Sequence, residues 1–144
     1  MITYLTIDAG IAFKLIAPHA NQQMYIDLIA EWRQAGYQLC APTLWVYEVT
    51  SVFTKMARFG QLSTKASHEG VRLANQLGVQ LIAPDEAQTA KAMYWTERLQ
   101  RAAAYDSFYL AVAETLGCEL WTTDKKLVNA VGQSWVRLAE ASYL

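Results

Sequence analysis

Short apolar segments alternate with longer helical ones along the whole chain, and this alternation limits the fold more than any other feature. Residues 2–7, ITYLTI, are rich in β-branched and aromatic side chains and predict a first strand. Residues 37–41, 79–83, 118–122 and 134–138 predict four more. Between them, apolar residues recur at helical spacing. A short helix ends near Ile16, ahead of Pro18, and a long one covers 20–35 with Met24, Leu28, Ile29 and Trp32 on one stripe. Further helices are expected from Pro42-Thr43 to about Phe59, from Ser63 or Thr64 to Leu77, from Glu86 to about Arg101, from about Tyr105 to Leu116, and from Asp124 to Val131. Gly36, Gly60, Gly78 and Gly117 stand where helices should stop. Short, mostly apolar strands separated by helices predict an α/β fold with a parallel sheet buried on both faces. No repeat, linker or low-complexity stretch interrupts the pattern, so residues 1–144 are expected to form a single domain.

Composition agrees with a packed core. Of 144 residues, 53% are hydrophobic and 17% charged, enough apolar material to fold without disulfide or metal staples. Thirteen acids against twelve bases leave a net charge of −1. That balance excludes nucleic-acid binding through overall charge, but not through a local site. Cys40 and Cys118 form no CxxC and no zinc spacing with His19 or His68, and are expected as free buried thiols. No leader-like segment opens the chain, and no apolar run approaches the about 20 residues of a membrane span. A soluble cytoplasmic protein is expected.

Four carboxylates stand out by position. Open parallel sheets carry their functional groups beyond the C-terminal ends of the strands. Asp8 follows the first strand directly, and Asp124 follows the strand ending at Thr122. The ordinary role of either is to cap the next helix. Glu48 is a lone acid in LWVYEVTSVF. On a helical wheel Trp45, Val49, Val52, Phe53 and Met56 form the apolar face, and Glu48 falls at its edge beside Ser51 and Lys55. A carboxylate there is partly desolvated, which is costly unless it is paired or holds a cation. Asp106 sits in the first turn of its predicted helix, where an acid also suits the helix dipole.

If these four acids share a site, their mutual repulsion calls for a cation. An oxygen-only ligand set suits Mg²⁺ or Mn²⁺ rather than zinc. Acidic metal sites support phosphodiester cleavage. Other chemistries lack their signatures: there is no GxxxxGK[ST], no GxGxxG, no recognisable Ser-His-Asp set, and no second Asp two residues after Asp8.

The segments Ile7-Asp8-Ala-Gly, Tyr47-Glu48-Val, Tyr105-Asp106-Ser-Phe-Tyr-Leu-Ala-Val-Ala-Glu114 and Trp121-Thr-Thr-Asp124-Lys-Lys-Leu127 together resemble the PIN-domain nucleases, and within them the VapC-like toxins of prokaryotic toxin–antitoxin pairs. The resemblance implies a PIN-like three-layer α/β/α sandwich around a short, mainly parallel central sheet. It implies a Mg²⁺- or Mn²⁺-dependent endoribonuclease acting on an RNA substrate. Asp8, Glu48, Asp106 and Asp124 would be its catalytic and metal-binding quartet, with Asp8 and Asp106 the most direct ligands. Thr122 matches a hydroxyl position just before the fourth acid and would orient a ligand or a water. The resemblance also implies a homodimer and a cognate antitoxin whose tail occupies the groove beside the site. One departure is the absence of a serine in Asp8-Ala-Gly-Ile-Ala.

Lys14, Lys55, Arg58, Lys125 and Lys126 are the bases nearest these acids in sequence, and Lys55 is the first choice for a phosphate contact. Trp32, Trp45 and Trp121 lie on apolar faces and are expected in the core or an interface. Residues 20–32 and the Glu48 helix carry more apolar surface than one sheet face needs, which suits plain core first and a partner groove second. Two other functions fit the same residues: a PIN-like module that binds RNA or protein without cutting, and a housekeeping RNA-processing nuclease.

Overall fold

The computed structural model describes residues 1–140. The elements run β1 (Thr3–Ile7), α1 (Ala9–Ile16), α2 (Gln22–Gln34), β2 (Tyr37–Pro42), α3 (Leu44–Arg58), α4 (Thr64–Asn75), β3 (Gln80–Ile82), α5 (Glu86–Arg98), α6 (Ser107–Leu116), β4 (Leu120–Thr122), α7 (Lys125–Val131) and β5 (Val136–Leu138). The five strands form one sheet in the order β3-β2-β1-β4-β5, and every pairing is parallel. The chain builds outward from β1 to β2 and β3, then returns to the other side of β1 for β4 and β5. The strand order therefore reverses between β1 and β4, where open α/β sheets leave a crevice at the strands' C-terminal ends.

Strand alternation sorts the core into two layers. Leu5, Ile7, Leu39 and Trp121 pack against Tyr25, Leu28, Ile29 and Trp32 of α2. Leu120 and Val136 belong to the other layer, with Trp45, Val49 and Phe53 of α3, Trp95 of α5, and Tyr109, Leu110 and Ala113 of α6. Trp32, Trp45 and Trp121 are all buried, as their apolar settings predict. Trp32 and Trp121 meet ring to ring across the first layer, 5.3 Å between centroids.

Several elements differ from expectation. β3 was expected to be buried on both faces, yet it is an edge strand with Leu81 exposed. Among the described residues it pairs only with β2, which leaves one side of its backbone ladder without a neighbouring strand. The helix expected to begin at Tyr105 begins at Ser107, which leaves Asp106 at its N-cap with no capping bond from its side chain. α5 stops at Arg98 rather than near Arg101, and Gln100 follows in a left-handed conformation, φ 54°. The two cysteines are free, but only Cys40 is fully buried; Cys118 is partly exposed. Both sulfurs lie 3.3 Å from Thr6 Oγ1, one on each side of β1.

α3 and α4 meet at an unusually close point. Ser67 Oγ donates to the Phe53 carbonyl oxygen at 2.5 Å, and a methyl group placed on Gly70 would run into the Phe53 ring. Glycine at position 70 thus removes a side chain rather than adding backbone freedom. Gly70→Ala is expected to lose about 1–3 kcal/mol by overpacking, outweighing the about 1 kcal/mol that alanine gains in a helix. Combining it with Phe53→Leu should recover part of the loss. Urea unfolding of the single and double variants checks this, and additive effects would contradict the contact.

Candidate active site

Parallel register brings the first and fourth acids together. Ile7 of β1 pairs with Trp121 of β4, so the next residue, Asp8, emerges beside Thr122. Its Oδ2 accepts hydrogen bonds from Thr122 Oγ1 at 2.5 Å and from the Thr123 backbone N–H at 3.3 Å. Its Oδ1 accepts from the Ile11 N–H at 3.0 Å, capping α1. Asp124 caps α7 through Leu127 N–H at 3.1 Å, and its own N–H donates to Thr122 Oγ1 at 2.9 Å. The capping role and the strand-end position coexist for both acids. One hydroxyl, that of Thr122, joins them.

Gly10 makes this approach possible. A Cβ there would collide with Thr123 Oγ1 and crowd Asp8 Oδ1 at 3.3 Å. The start of α1 therefore lies directly against the turn after β4. A larger residue would force Thr123 to turn its hydroxyl away or the two segments to part.

Asp8, Glu48, Asp106 and Asp124 all line one small cavity of about 70 Å³, together with Thr122, Tyr109 and Gly10. α3 contributes Glu48 because Trp45, Val49 and Phe53 hold its other face in the core. Asp106 reaches the cavity from the start of α6 and also lies 3.5 Å from the guanidinium of Arg101. Among the described residues, no three His, Cys, Asp or Glu side chains close on a single point as a ready-made metal cluster. The quartet expected from sequence shares a cavity without converging in it. The hydrogen bonds explain the spread: two acids are held by helix caps and a third leans toward Arg101.

Electrostatics single out Asp8 and Glu48. Burial pushes the Asp8 carboxyl above its ordinary value of 3.8, against the lowering by its three hydrogen bonds, and Asp124 adds repulsion. Burial likewise raises Glu48 above 4.5, with further repulsion from Asp106 and Asp8. Glu48 Oε1 is buried with no hydrogen-bond partner, and so is the hydroxyl of Tyr109. These two groups face each other closely enough to shift each other's proton affinity, yet no bond of standard geometry joins them. An unsatisfied buried carboxylate oxygen costs free energy unless a proton or a cation answers it. An all-oxygen donor set fits Mg²⁺ or Mn²⁺, and Mg²⁺ is commonly held by one or two carboxylates with water filling its remaining positions. The spread of the acids is compatible with such a site.

The cavity adjoins a wide groove of about 900 Å³ that shares Glu48 and Asp106 with it. Lys55, Ser51, Arg101, Tyr47 and Tyr105 line this groove. Lys55 thus stands where the helical wheel places it, on the flank of Glu48. Lys14, Arg58 and Lys126 line neither space, and Lys125 borders a separate hollow beside Trp121. Tyr109, Gly10 and Arg101 were not among the residues expected here. Tyr109 recurs at core spacing, Gly10 acts through its missing side chain, and Arg101 lies in a loop with no pattern.

The family model described as PIN domain matches residues 5–132. No curated protein matches the sequence. Among solved structures, PAE2754 from Pyrobaculum aerophilum superposes with a TM-score of 0.70 at 20% identity, covering 99% of this chain and 96% of that one. Mycobacterium tuberculosis VapC20, a Sarcin-Ricin loop cleaving toxin, superposes with a TM-score of 0.64 at 17% identity, over 92% and 98% of the two chains. A toxin–antitoxin complex from Klebsiella pneumoniae contains a chain with a TM-score of 0.66 at 14% identity, over 94% and 96%. At these identities the likenesses speak for a shared fold. With the sheet order and the family match over most of the sequence, they establish that the chain belongs to the PIN domain family, whose members are generally nucleases.

Proposed function

We infer that the protein is a divalent-cation-dependent endoribonuclease and the toxin of a toxin–antitoxin pair. The observation that carries this reading is the shared cavity of Asp8, Glu48, Asp106 and Asp124, in which a buried Glu48 oxygen has no partner. These four carboxylates would hold Mg²⁺ or Mn²⁺, directly or through water. When bound, such a cation offsets phosphate charge and lowers the pKa of water. Thr122 would act as a positioning residue, since its hydroxyl fixes Asp8 and the Asp124 backbone at once. Lys55, on the groove wall, would hold substrate phosphate.

The RNA substrate is supported by the neighbour VapC20, which cleaves the Sarcin-Ricin loop, and a cognate antitoxin by the Klebsiella complex. A homodimer, a single domain over the whole chain and a cytoplasmic location belong to the same reading. No helix among the described residues is long and apolar enough to cross a membrane. The rival reading, a PIN-like module that binds without cutting, draws its support from the ion pair of Arg101 with Asp106, which already answers one acid with a base.

Cleavage of single-stranded RNA by the purified chain should require Mg²⁺ or Mn²⁺ and stop with a chelator. Thr122→Val should cost about 10- to 100-fold in cation affinity or rate, and Asp8→Asn and Asp106→Asn more than that. Equal cleavage by wild type and both Asn variants would overturn the site. No cleavage of any RNA would favour the binding module.

Stability gives an independent check. The Asp8 and Glu48 carboxyls bind protons more tightly when folded than when unfolded. Folding stability is therefore retained below pH 3.8–4.5 and lost as pH rises through the folded values. In chelator, the melting temperature of Asp8→Asn relative to wild type should rise as pH climbs above about 4, because asparagine keeps the Oδ1 cap without the charge, although it loses the bonds that Oδ2 accepts from Thr122 and Thr123 at every pH. Saturating Mg²⁺ should shrink or reverse that gap by stabilising wild type alone. A melting difference independent of both pH and Mg²⁺ would contradict the electrostatic account.

A further inference from the structure

Two large aromatic side chains of the groove are left uncovered. Tyr47 and Tyr105 are 67% and 66% exposed, and both line it. Each directly precedes a cavity carboxylate: Tyr47 stands before Glu48 on α3, and Tyr105 before Asp106 at the start of α6. The rings therefore sit beside the junction of groove and cavity, on two different elements. Neither side chain has a hydrogen-bond or ring partner among the described residues. Lys55 lies on the same groove, seven residues beyond Glu48 on α3, which is about 10 Å along a helix. It makes no ion pair among the described residues, whereas Arg101 is engaged with Asp106.

We propose that Tyr47 and Tyr105 are the base-stacking residues of this groove, each holding one unpaired nucleotide of the RNA while Lys55 holds a backbone phosphate. Every base offers a π-face, so two open aromatic platforms bind unpaired nucleotides with little regard to sequence. Bases within a duplex have both faces covered by their neighbours and cannot use them. The unpaired Lys55 ammonium argues for an anionic occupant. A peptide bringing a base to Glu48 and Asp106 would leave that ammonium unanswered. Sequence preference, in this arrangement, comes from what surrounds the two stacked positions. The inference rests on the nuclease reading above, which it deepens by naming the side chains that grip the substrate's bases.

The test measures binding apart from cleavage. Full-length protein carrying Asp8→Asn, with Mg²⁺ present, is titrated into an unstructured fluorescent oligoribonucleotide and into the same strand annealed to its complement. The single strand should bind at least about tenfold more tightly. Adding Tyr47→Ala or Tyr105→Ala should each weaken it by about 5- to 100-fold, the scale of one lost base stack. Tyr47→Phe and Tyr105→Phe keep the ring and should stay within about twofold, which also separates stacking from misfolding. Lys55→Ala should flatten the dependence of log affinity on log salt by about 0.7. Equal affinity for duplex, or undiminished binding by both alanine variants, would overturn the proposal. So would an arginine-bearing peptide whose binding needs both tyrosines while RNA binding does not. The two readings also fail separately. RNA held through both rings but never cut by wild type would sink the nuclease and keep the groove. Asp8-dependent cleavage with full binding by the alanine variants would do the reverse.

Discussion

One carboxylate holds the C-terminal edge of the sheet together. Asp8 is the first residue after the central strand, and it accepts hydrogen bonds from the start of α1 and from the turn after β4. The end of β1, the start of α1 that follows it and the turn after β4, far along the chain, therefore meet on two oxygens. The strand order makes this possible, because β4 is laid beside β1 only after the chain has crossed to β3 and back. Gly10 completes the arrangement by letting α1 lie against Thr123. The same burial that lets Asp8 organise its surroundings makes its negative charge unfavourable. The group that orders this edge of the sheet is thus also one whose charge the fold disfavours.

The other acids respond to that charge in different ways. Asp124 shares the Thr122 hydroxyl with Asp8 and spends its own oxygen on a helix cap. Asp106 stays half exposed beside Arg101. Glu48 has neither solution, since one of its oxygens is buried against a tyrosine hydroxyl that also lacks a partner. The unmet polar atoms of the cavity are concentrated where α3 faces α6. Buried polar groups are ordinarily satisfied, and Trp45, Gln88, Trp95 and Trp121 also carry unpartnered buried atoms, so what sets Glu48 apart is that its open oxygen is a carboxylate among three other acids.

The legible part of this site was whatever follows from the chain's local pattern. Asp8 and Asp124 could be placed because each ends a strand, and Glu48 because it is a lone acid at the edge of an apolar helical face. Those positions need only periodicity. Tyr109 was hidden for the same reason: an aromatic at helical core spacing reads as packing, and only the structure sets its hydroxyl against Glu48. Arg101 sits after a left-handed Gln100 that ends α5 early, a backbone turn that no spacing rule anticipates. β3 read as buried because its residues are apolar, but burial depends on neighbours, and its place at the sheet edge is a property of topology.

α3 shows how fold and recognition are kept apart on one element. Trp45, Val49 and Phe53 fix the helix against the sheet and α4, while Tyr47, Glu48, Ser51 and Lys55 face the groove. The helical period divides the residues so that neighbours in sequence serve different ends. Glu48 is the exception, for it lies on the boundary and borders both the narrow cavity and the broad groove. Changes among the outward residues alter what the groove receives without touching the packing that holds Glu48 in place. Changes among the inward residues move Glu48 itself, and with it the unsatisfied oxygen that it sets in the cavity. If the groove receives RNA as proposed, substrate preference can drift along this helix while the acidic centre stays fixed, provided the inward face keeps its volume.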